Sequence, residues 1–560
     1  MLTTIARYYH TLKYLKPVQL LGWVYFFMPR WIQETKNVPP LHRLPARPVY
    51  LQKRFSTPDF NAFTFLNESY PLNEAGWDNE AIAKLWRYHL HYFDYLNSVS
   101  PEAYAQDHTL VARVKALIHQ WIQENPFGKG TAWEPYPTSL RMVNWVKWMQ
   151  ISKMYDPRMV QSLWNQLRWL SNRPEYHLRG NHLLANAKAM IIGSLLFTGN
   201  KAEGMFQRGL RLFRTQLKEQ FLSDGAHIEL SPMYHAIALE DLLEVYVLAA
   251  DKLDQALKKE LEHTILHGLD WLSAFTYQDG TLAYFNDVAE HQAPGLKELL
   301  DLAHRVGLKP DSEATAHKTR YFSDSGFVTL KNDSSYAILD IGKVGPDWLP
   351  GHAHADTLSF ELAIRSERVF VNSGTSVYGT SQERHRQRST SAHTTVEINH
   401  ENSSEVWAGF RVARRAYPIE IEVDIEVELS DDRSFVKASH DGYHRLVPPI
   451  THSRSWNLDK QGLRVTDDIQ GSYTYAISRF YLHPDIQVSI TSEGLILSKN
   501  LSGKITDLAK VWVEAADGNY EIKLVDTTFH PEFGRSYPNS CITIHWYTCT
   551  QMSVCITSLV

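Results

Sequence analysis

Residues 327–339, FVTLKNDSSYAIL, are typical of two short strands joined by a turn at Asn332-Asp333. Both runs are rich in β-branched or aromatic side chains, and the Asn-Asp pair is a turn signal. Similar runs at 369–371 and 394–398 follow, with further turn signals such as Ser373-Gly374 between them. Because no crossover helix separates these strands, we expect a sandwich of antiparallel sheets in the C-terminal half.

The residues before about position 320 show a different periodicity. Apolar side chains recur there at three- and four-residue steps, for example over residues 184–195. This spacing places them on one helix face, and several such helices joined by short loops form a helical domain. The predicted organisation is an N-terminal arm with helices over 1–75, a helical domain over 76–315 and a β-sandwich domain over 316–560.

Length and composition limit the function classes. The chain has 560 residues, too many for one ordinary core, and its 44% hydrophobic and 21% charged residues are typical of globular proteins. The aromatic content of 12% suits sugar binding, because the apolar face of a pyranose can lie on an aromatic ring. The net charge of -5, without a long basic run, excludes electrostatic support for nucleic-acid binding.

The cysteines and the first residues indicate a compartment. Three cysteines, an odd and sparse set, give no disulfide framework, so a reducing compartment is predicted. The apolar stretch 20–28 contains Gly22 and is shorter than a secretory signal core or a membrane span of ~20 residues. We therefore predict a cytoplasmic protein. The aromatic, amphipathic residues 1–30 also fit peripheral contact with the inner membrane, with packing against the main body as the alternative.

Residues 179–186, RGNHLLAN, lead into an amphipathic helix. Asn181 is predicted to be its N-cap, with a side-chain oxygen that accepts a backbone N–H. His182 then falls in the first turn, where the positive helix end favours a neutral imidazole. A neutral histidine suits a base or a hydrogen-bond partner.

Residues 224–235, DGAHIELSPMYH, predict a second helix start. Ser231 is a natural N-cap and Pro232 a natural first helical residue. Tyr234 then lies in the first turn, at a helix end where a cleft would open. Packing of the tyrosine under a loop is the alternative.

Residues 351–356, GHAHAD, precede a predicted strand at 358–364. Alternate side chains of an extended segment share a face, so His352 and His354 are expected to point the same way. One imidazole can then move protons while the other binds a metal. The alternative is a polar loop that enters a sheet.

Residues 133–137, WEPYP, followed by Arg141, combine aromatic and basic side chains that would suit an anionic sugar. Structural packing of these side chains is the alternative. The predicted substrate-binding residues are Trp133, Tyr136, Arg141, Glu229, His235 and Tyr378.

Five segments together resemble the heparinase II/III-like polysaccharide lyases: residues 180–182, 231–235, 351–356, 372–375 and 392–396. Their order along the chain also resembles that of the family, and the likeness covers most of the chain after about residue 80. The resemblance implies a multidomain α+β fold, an incomplete (α/α) toroid followed by an antiparallel β-sandwich domain. It places the active cleft between the two domains.

The resemblance also implies β-elimination on uronic-acid polysaccharides such as heparan sulfate, heparin or alginate. Asn181 and His182 would meet the uronate, Tyr234 would be the acid/base and His352 a second catalytic group. Chemically, an amide can stabilise the developing enolate. The base would be His182, His352 or Tyr234, and Tyr234 is the first choice of acid for the departing O4.

The resemblance assigns a zinc or calcium ion to His354, Asn372 and His393. The family normally has an aspartate where this chain has Asn372. A neutral amide is a weaker ligand for a divalent cation than a carboxylate, so this departure predicts an absent or weakly held metal. Asp356 could compensate as a carboxylate ligand, with a structural role as the alternative.

The functional hypothesis is a lyase for an acidic polysaccharide. Relatives without export signals resemble proteins of bacterial exopolysaccharide or capsule synthesis, which places the reaction in that context. One alternative is a glycoside hydrolase with paired carboxylates, Asp224 and Glu229. Another is a non-catalytic polysaccharide-binding assembly protein.

Overall fold

The computed structural model describes residues 2–28, 31–44, 51, 60–310, 318–425 and 433–559. The α-helices of these ranges are α1 Leu2–Leu12, α2 Pro17–Phe27, α3 Leu72–Ala75, α4 Lys84–Tyr92, α5 Pro101–Gln106, α6 His108–Glu124, α7 Pro135–Ser152, α8 Pro157–Ser171, α9 Gly180–Ser194, α10 Asn200–Gln220, α11 Pro232–Ala249, α12 Gln255–Ala274, α13 Leu296–Arg305 and α14 Gln382–Gln387. None of them combines the length and apolarity that crossing a bilayer requires.

The strands begin with a short N-terminal hairpin and then fill the C-terminal half. They are β1 Ala62–Phe65, β2 Glu68–Pro71, β3 Arg320–Phe322, β4 Phe327–Lys331, β5 Ser335–Asp340, β6 Phe360–Ile364, β7 Glu367–Phe370, β8 Val396–Ile398, β9 Val406–Trp407, β10 Arg411–Val412, β11 Pro418–Asp424, β12 Ser434–His440, β13 Thr451–Leu458, β14 Gly462–Gln470, β15 Ala476–Tyr481, β16 Ile486–Thr491, β17 Gly494–Leu501, β18 Lys504–Ala515, β19 Tyr520–Phe529, β20 Tyr537–Trp546 and β21 Gln551–Ser558. The predicted domain boundary at 315/316 and parts of the predicted arm lie outside the described residues.

The helical half is built around α7, α9 and α11, whose side chains are buried along almost their whole length. Helix α9 packs against both α7 and α11, so the three helices form an inner layer. Their first turns carry Tyr136, His182 and Tyr234 respectively. The inner helices therefore present the predicted site residues from their N-terminal ends.

The C-terminal half is an antiparallel sandwich, as predicted. An eight-stranded sheet has the order β11-β12-β13-β14-β21-β18-β17-β16, beside a four-stranded sheet β19-β20-β15-β8 and a five-stranded sheet β3-β4-β5-β6-β7. Apolar side chains of all three sheets, among them Phe360, Trp456 and Trp546, meet in one buried core. The multidomain α+β architecture is thereby confirmed.

The five-stranded sheet is buried on both faces. In β5, Ala337 and Leu339 join the sandwich core, while Tyr336 and Ile338 pack against helical-domain residues such as Trp271. Because strand side chains alternate between faces, one strand contributes to two cores. This sheet packs the sandwich against the helical half and so positions the cleft between them.

Candidate active site

The start of α11 has the predicted geometry. Ser231 is the N-cap, its hydroxyl accepts the backbone N–H of Tyr234 at 3.3 Å, and Pro232 is the first helical residue. Tyr234 therefore occupies the first turn, where it retains 9% of its surface exposed. The cap sets the position of the phenol at the cleft.

The start of α9 differs from the prediction. Arg179, not Asn181, is the N-cap, and Asn181 is already helical. Its backbone N–H donates to Glu229 Oε1 at 2.9 Å, so a carboxylate from another segment satisfies this helix end. Gly180 has φ +51, and a Cβ there would lie 2.2 Å from Glu229 Oε1, which explains the glycine. The amide side chain of Asn181 forms no hydrogen bond to the described residues.

His182 is held by an acidic neighbour. Its Nδ1 lies 3.2 Å from Glu175 Oε1, and its ring packs on Tyr136 with 4.3 Å between centroids. Burial alone would lower the pKa of His182, but the charge and hydrogen bond of Glu175 outweigh it and raise that pKa. The prediction of a neutral imidazole is thus wrong in direction, because a carboxylate counts for more than the helix end.

Tyr234 and His352 form the centre of the site. Their rings are stacked with 3.7 Å between centroids, and the Tyr234 hydroxyl lies 2.9 Å from that of Tyr378. Burial, followed by the charges of Tyr378 and Asp287, raises the pKa of Tyr234 well above its ordinary value. The phenol is therefore held protonated, as an acid must be.

Asp287 joins the two histidines of the GHAHAD segment. His352 Nδ1 donates to one carboxylate oxygen and His354 Nε2 to the other, each at 2.9 Å. Arg384 forms a bidentate ion pair with the same carboxylate, and both side chains are fully buried. Burial opposes ionisation of Asp287, but Arg384 and the histidines hold its pKa well below the usual value. The predicted strand begins only at Phe360, so the shared carboxylate, not strand pleating, directs both imidazoles.

Glu229 connects the sides of the cleft. One oxygen caps Asn181, and the other lies 3.4 Å from His352 Nε2. That second oxygen is buried and accepts no hydrogen bond from the described residues. Glu229 thus lies where it can stabilise a positive charge on His352.

His354 and His393 form a buried pair that faces a carboxylate. His354 Nδ1 lies 3.0 Å from His393 Nε2, and these residues and Asp356 each offer a ligand atom within 4.8 Å of the others. The far nitrogens are both proton donors, because His354 Nε2 faces Asp287 and His393 Nδ1 faces the carbonyl of Ser389. In the neutral rings, two lone pairs therefore face each other.

A cation between the rings would satisfy both lone pairs. Burial lowers the pKa of His354 to about 3 and also lowers that of His393, which disfavours a shared proton. A metal ion would accept both lone pairs and the carboxylate of Asp356. The donor set therefore fits a metal.

Asn372, the expected third ligand, has other partners. Its side-chain oxygen accepts the backbone N–H of Thr394 at 3.2 Å, and its nitrogen lies 3.5 Å from Ser359 Oγ. Asp356 takes the position of carboxylate donor beside the histidines. The metal-ligand prediction thus changes from Asn372 to Asp356.

Several predicted substrate-binding residues lie inside the helical core. Arg141 is 0% exposed, with its guanidinium over Trp121 and bonded to Gln166. Trp133 is buried and donates to the carbonyl of Asn125. His235 is 0% exposed and bonded to the carbonyl of Gly268. These three are corrected to structural roles, whereas Tyr136, Glu229 and Tyr378 do contact the catalytic candidates.

The carboxylate pair of the hydrolase alternative is not assembled. Asp224 Oδ2 accepts from the backbone and hydroxyl of Ser325, and Oδ1 accepts from Ala226 N–H. Asp224 is thereby committed to a turn between the domains. Glu229 remains in the cleft without it.

Sequence reasoning missed Asp287, Arg384 and Glu175. Asp287 follows Asn286, which has φ +60, after an aromatic run, and nothing in that pattern separates it from an ordinary turn. Arg384 lies in the charged segment ERHR, which is typical of a solvent-exposed helix. Only the fold shows that Asp287 and Arg384 meet beneath His352 and that Glu175 contacts His182.

Comparison with known proteins agrees with this fold. The heparinase II/III N-terminus model matches residues 6–313, and the heparinase II/III-like C-terminal model matches residues 314–552. The chain belongs to the heparinase II/III family. A crystal structure of heparinase III superposes with a TM-score of 0.71 at 17% identity, covering 97% of this chain and 89% of that one. The heparan sulfate lyase HepC from Pedobacter heparinus gives a TM-score of 0.59 at 16% identity, over 97% and 87%.

Two relatives by sequence carry different names. Heparin-sulfate lyase of Bacteroides stercoris is 23% identical over 347 residues, 57% of this chain and 48% of that protein. FtsZ-localized protein C of Caulobacter vibrioides is 25% identical over 449 residues, 75% of this chain and 73% of that protein. The family member thus spans about half the length of the heparin-sulfate lyases that it matches.

Proposed function

We propose that this heparinase II/III family member is a polysaccharide lyase that cleaves a uronate-containing acidic polysaccharide by β-elimination. One observation carries the proposal: a continuous set of contacts joins Asn181 to Glu229, Glu229 to His352 and His352 to Tyr234. An acid, a base and an amide donor thus meet where the domains join. Elimination next to a carboxylate needs those three groups.

His352 is the base in this proposal. Asp287 fixes the proton on Nδ1, which leaves Nε2 to remove the C5 proton of the uronate. The C5–H electrons form the C4=C5 double bond as the C4–O4 bond breaks. Tyr234, held protonated, gives its proton to the departing O4. Glu229 stabilises the imidazolium that results.

Asn181 and His182 act on the uronate carboxylate. The free amide of Asn181 donates to it, and the raised pKa of His182 supplies a cation beside it. Both interactions strengthen as negative charge develops during C5 deprotonation. His182 is therefore a charge-neutralising group in this proposal, not the base.

For the metal we propose zinc rather than calcium. Two imidazoles and one carboxylate suit zinc, whereas calcium prefers oxygen ligands. When bound, the ion would supply positive charge that fixes His354 and so supports the Asp287 carboxylate under His352. The ligands would be His354, Asp356 and His393.

We further propose a cellular setting: a polymer of bacterial exopolysaccharide or capsule, handled on the cytoplasmic side. All three cysteines are free and buried, which suits a reducing compartment. Activity on unsulfated uronate polymers above that on heparan sulfate would support the polymer class. Exclusive activity on sulfated chains, or recovery of the native protein outside the cytoplasm, would contradict this setting.

The lyase proposal is tested by incubating the protein with a panel of uronate polymers and following ultraviolet absorbance of the unsaturated product. Tyr234→Phe should reduce turnover by about 10²–10⁴-fold because it removes the acid. Tyr378→Phe is the matched control, since it removes the same 2.9 Å hydrogen bond. It should cost about tenfold or less, because one neutral hydrogen bond is worth about 1 kcal/mol.

Two outcomes would contradict the proposal. Folded protein that releases no unsaturated product from any polymer is not a lyase for this class. Polymer binding that survives both Tyr234→Phe and His352→Ala, without turnover by the wild type, would identify a binding protein instead.

A further inference from the structure

Helices α1 and α2 expose an unusual amount of apolar surface. Helix α2 packs on the helical domain through Gly22 and Phe26, while Gln19, on the same helix face, donates to the carbonyl of Trp348 in the C-terminal half. A Cβ on Gly22 would lie 2.9 Å from the backbone of Tyr176, so glycine permits this close approach. The opposite face points away from the protein.

That opposite face is almost wholly apolar. Its side chains are 53–70% exposed: Leu20, Leu21, Trp23, Val24, Phe27 and Met28. Helix α1 exposes further apolar side chains, Ile5, Tyr9 and Leu12, each more than half exposed, and Trp31 beyond α2 is 93% exposed. The exposed apolar side chains of α1 and α2, together with Trp31, form the N-terminal apolar face. Such a patch marks an interaction surface.

The charge around the N-terminal apolar face is positive. Residues 1–33 contain Arg7, Lys13, Lys16 and Arg30 but no Asp or Glu, although the whole chain carries -5. Beside α2, a cavity of about 440 Å³ is lined by Val18 and by Arg208 and Arg211 of α10. Lys16 pairs with Glu219 at 3.5 Å, whereas Arg208 and Arg211 place charge with no carboxylate partner among the described residues beside the aliphatic and aromatic groups of α2.

We propose that the N-terminal apolar face docks the protein onto an anionic phospholipid bilayer. The apolar side chains of α1 and α2 would enter the headgroup and acyl boundary, and Arg208 and Arg211 would receive a lipid phosphate. Trp and Tyr at this face are the residues enriched at membrane interfaces. A second copy of the chain fits less well, because a twofold contact would set the basic residues against themselves.

Docking is tested by sedimenting the full chain with vesicles of phosphatidylcholine and phosphatidylglycerol in equal parts, and with phosphatidylcholine alone. The wild type should bind the anionic vesicles more tightly. Leu21→Glu combined with Phe27→Glu should weaken binding more than tenfold, because each side chain loses its apolar burial. Arg208→Gln and Arg211→Gln should each weaken binding to anionic vesicles roughly fivefold, with little effect on neutral ones.

Ile490→Glu is the matched control, since Ile490 is 77% exposed on β16, far along the chain from α2. It should bind like the wild type. The Leu21 and Phe27 variant should keep wild-type unfolding and wild-type turnover of soluble oligosaccharide. Should its folding change, Trp31→Glu provides an independent variant of the same face.

Three results would overturn docking: no binding to either vesicle, unchanged binding of the Leu21 and Phe27 variant, or self-association that this variant abolishes without any vesicle binding. Loss of lyase activity alone would leave docking intact, because the vesicle measurement needs no substrate.

Discussion

Two buried histidine pairs in the β-rich half have similar composition and different connections. His440 and His452 lie 3.3 Å apart, and His452 bonds Asp467, which pairs with Arg454. His354 and His393 lie 3.0 Å apart, and His354 bonds Asp287, which pairs with Arg384. Both arrays contain two imidazoles, an aspartate and an arginine.

The difference lies at the outer nitrogen. Gly442 N–H donates to His440 Nδ1, so His440 Nε2 carries a proton for His452 and the neutral chain is complete. At His393 the corresponding partner is the carbonyl of Ser389, which accepts a hydrogen bond from Nδ1–H, so the Nε2 lone pair of the neutral ring faces His354. One backbone group, a donor beside His440 and an acceptor beside His393, thus separates a closed structural pair from a candidate cation site.

The largest expected effects come from replacing the aspartate of each histidine pair, Asp287 or Asp467. Asp287→Asn and Asp467→Asn should each cost about 3–5 kcal/mol of unfolding free energy, because each leaves a buried arginine unpaired. Only Asp287→Asn should also lower turnover, by at least ~10²-fold, through loss of His352 orientation. Urea unfolding and turnover per folded molecule measure the two effects. Equal turnover in both variants would remove Asp287 from the mechanism.

An intermediate effect is expected from zinc. Added to metal-free protein at about a hundredfold above its Kd, zinc should stabilise the fold by about 2.7 kcal/mol. His393→Ala should abolish this gain, whereas His440→Ala should leave it unchanged while lowering overall stability. Thermal unfolding with and without zinc, together with calorimetry, gives the answer. Zinc stabilisation that survives His393→Ala would show that the ion does not bind at the His354 and His393 pair.

The same zinc-binding measurement also tests whether Asp356 or Asn372 is the third metal ligand. Asp356→Asn should weaken zinc binding more than Asn372→Asp strengthens it, because the Asn372 amide is occupied by Thr394 and Ser359. A strong gain in zinc affinity on Asn372→Asp would instead restore Asn372 to the ligand set.

The smallest effect concerns His182, a histidine outside both pairs. Its folded pKa is raised, so the stability it contributes is full below the unfolded value of ~6.5 and is lost as pH rises through the folded pKa. Glu175→Gln should lower the pKa of His182 and cost about 1 kcal/mol at acidic pH. NMR titration measures the pKa of His182, and the pH dependence of KM shows whether its charge affects substrate binding. An unchanged pKa would exclude Glu175 as the cause.

Much of the fold follows from the sequence because periodicity is local. The strands predicted at 327–330 and 336–339 are β4 and β5, and the cap predicted at Ser231 is present. The family resemblance supplied the toroid and the order of domains. These features depend on neighbours within a few residues or on short motifs.

The site was less predictable because its partners are far apart in sequence. Asp287 meets Arg384 across 97 residues, and Asn181 meets Glu229 across 48. His182 illustrates a nearer case: the helix end predicted a neutral ring, but Glu175, only seven residues earlier, folds back onto the ring and raises the pKa of His182. Arg141 illustrates the opposite case, a charged side chain placed entirely in the core.

The five-stranded sheet has a consequence for how the protein can be divided. Side chains of β5 enter the sandwich core on one face and, on the other, a cluster shared with helical-half residues such as Trp271, so the boundary between the halves is itself a buried core. A cut between the helical and β-rich segments would leave Tyr336, Ile338 and Phe327 on an open, aggregation-prone surface. We therefore expect the two halves to unfold together, and grafting one of them onto another enzyme would require a replacement for the missing face.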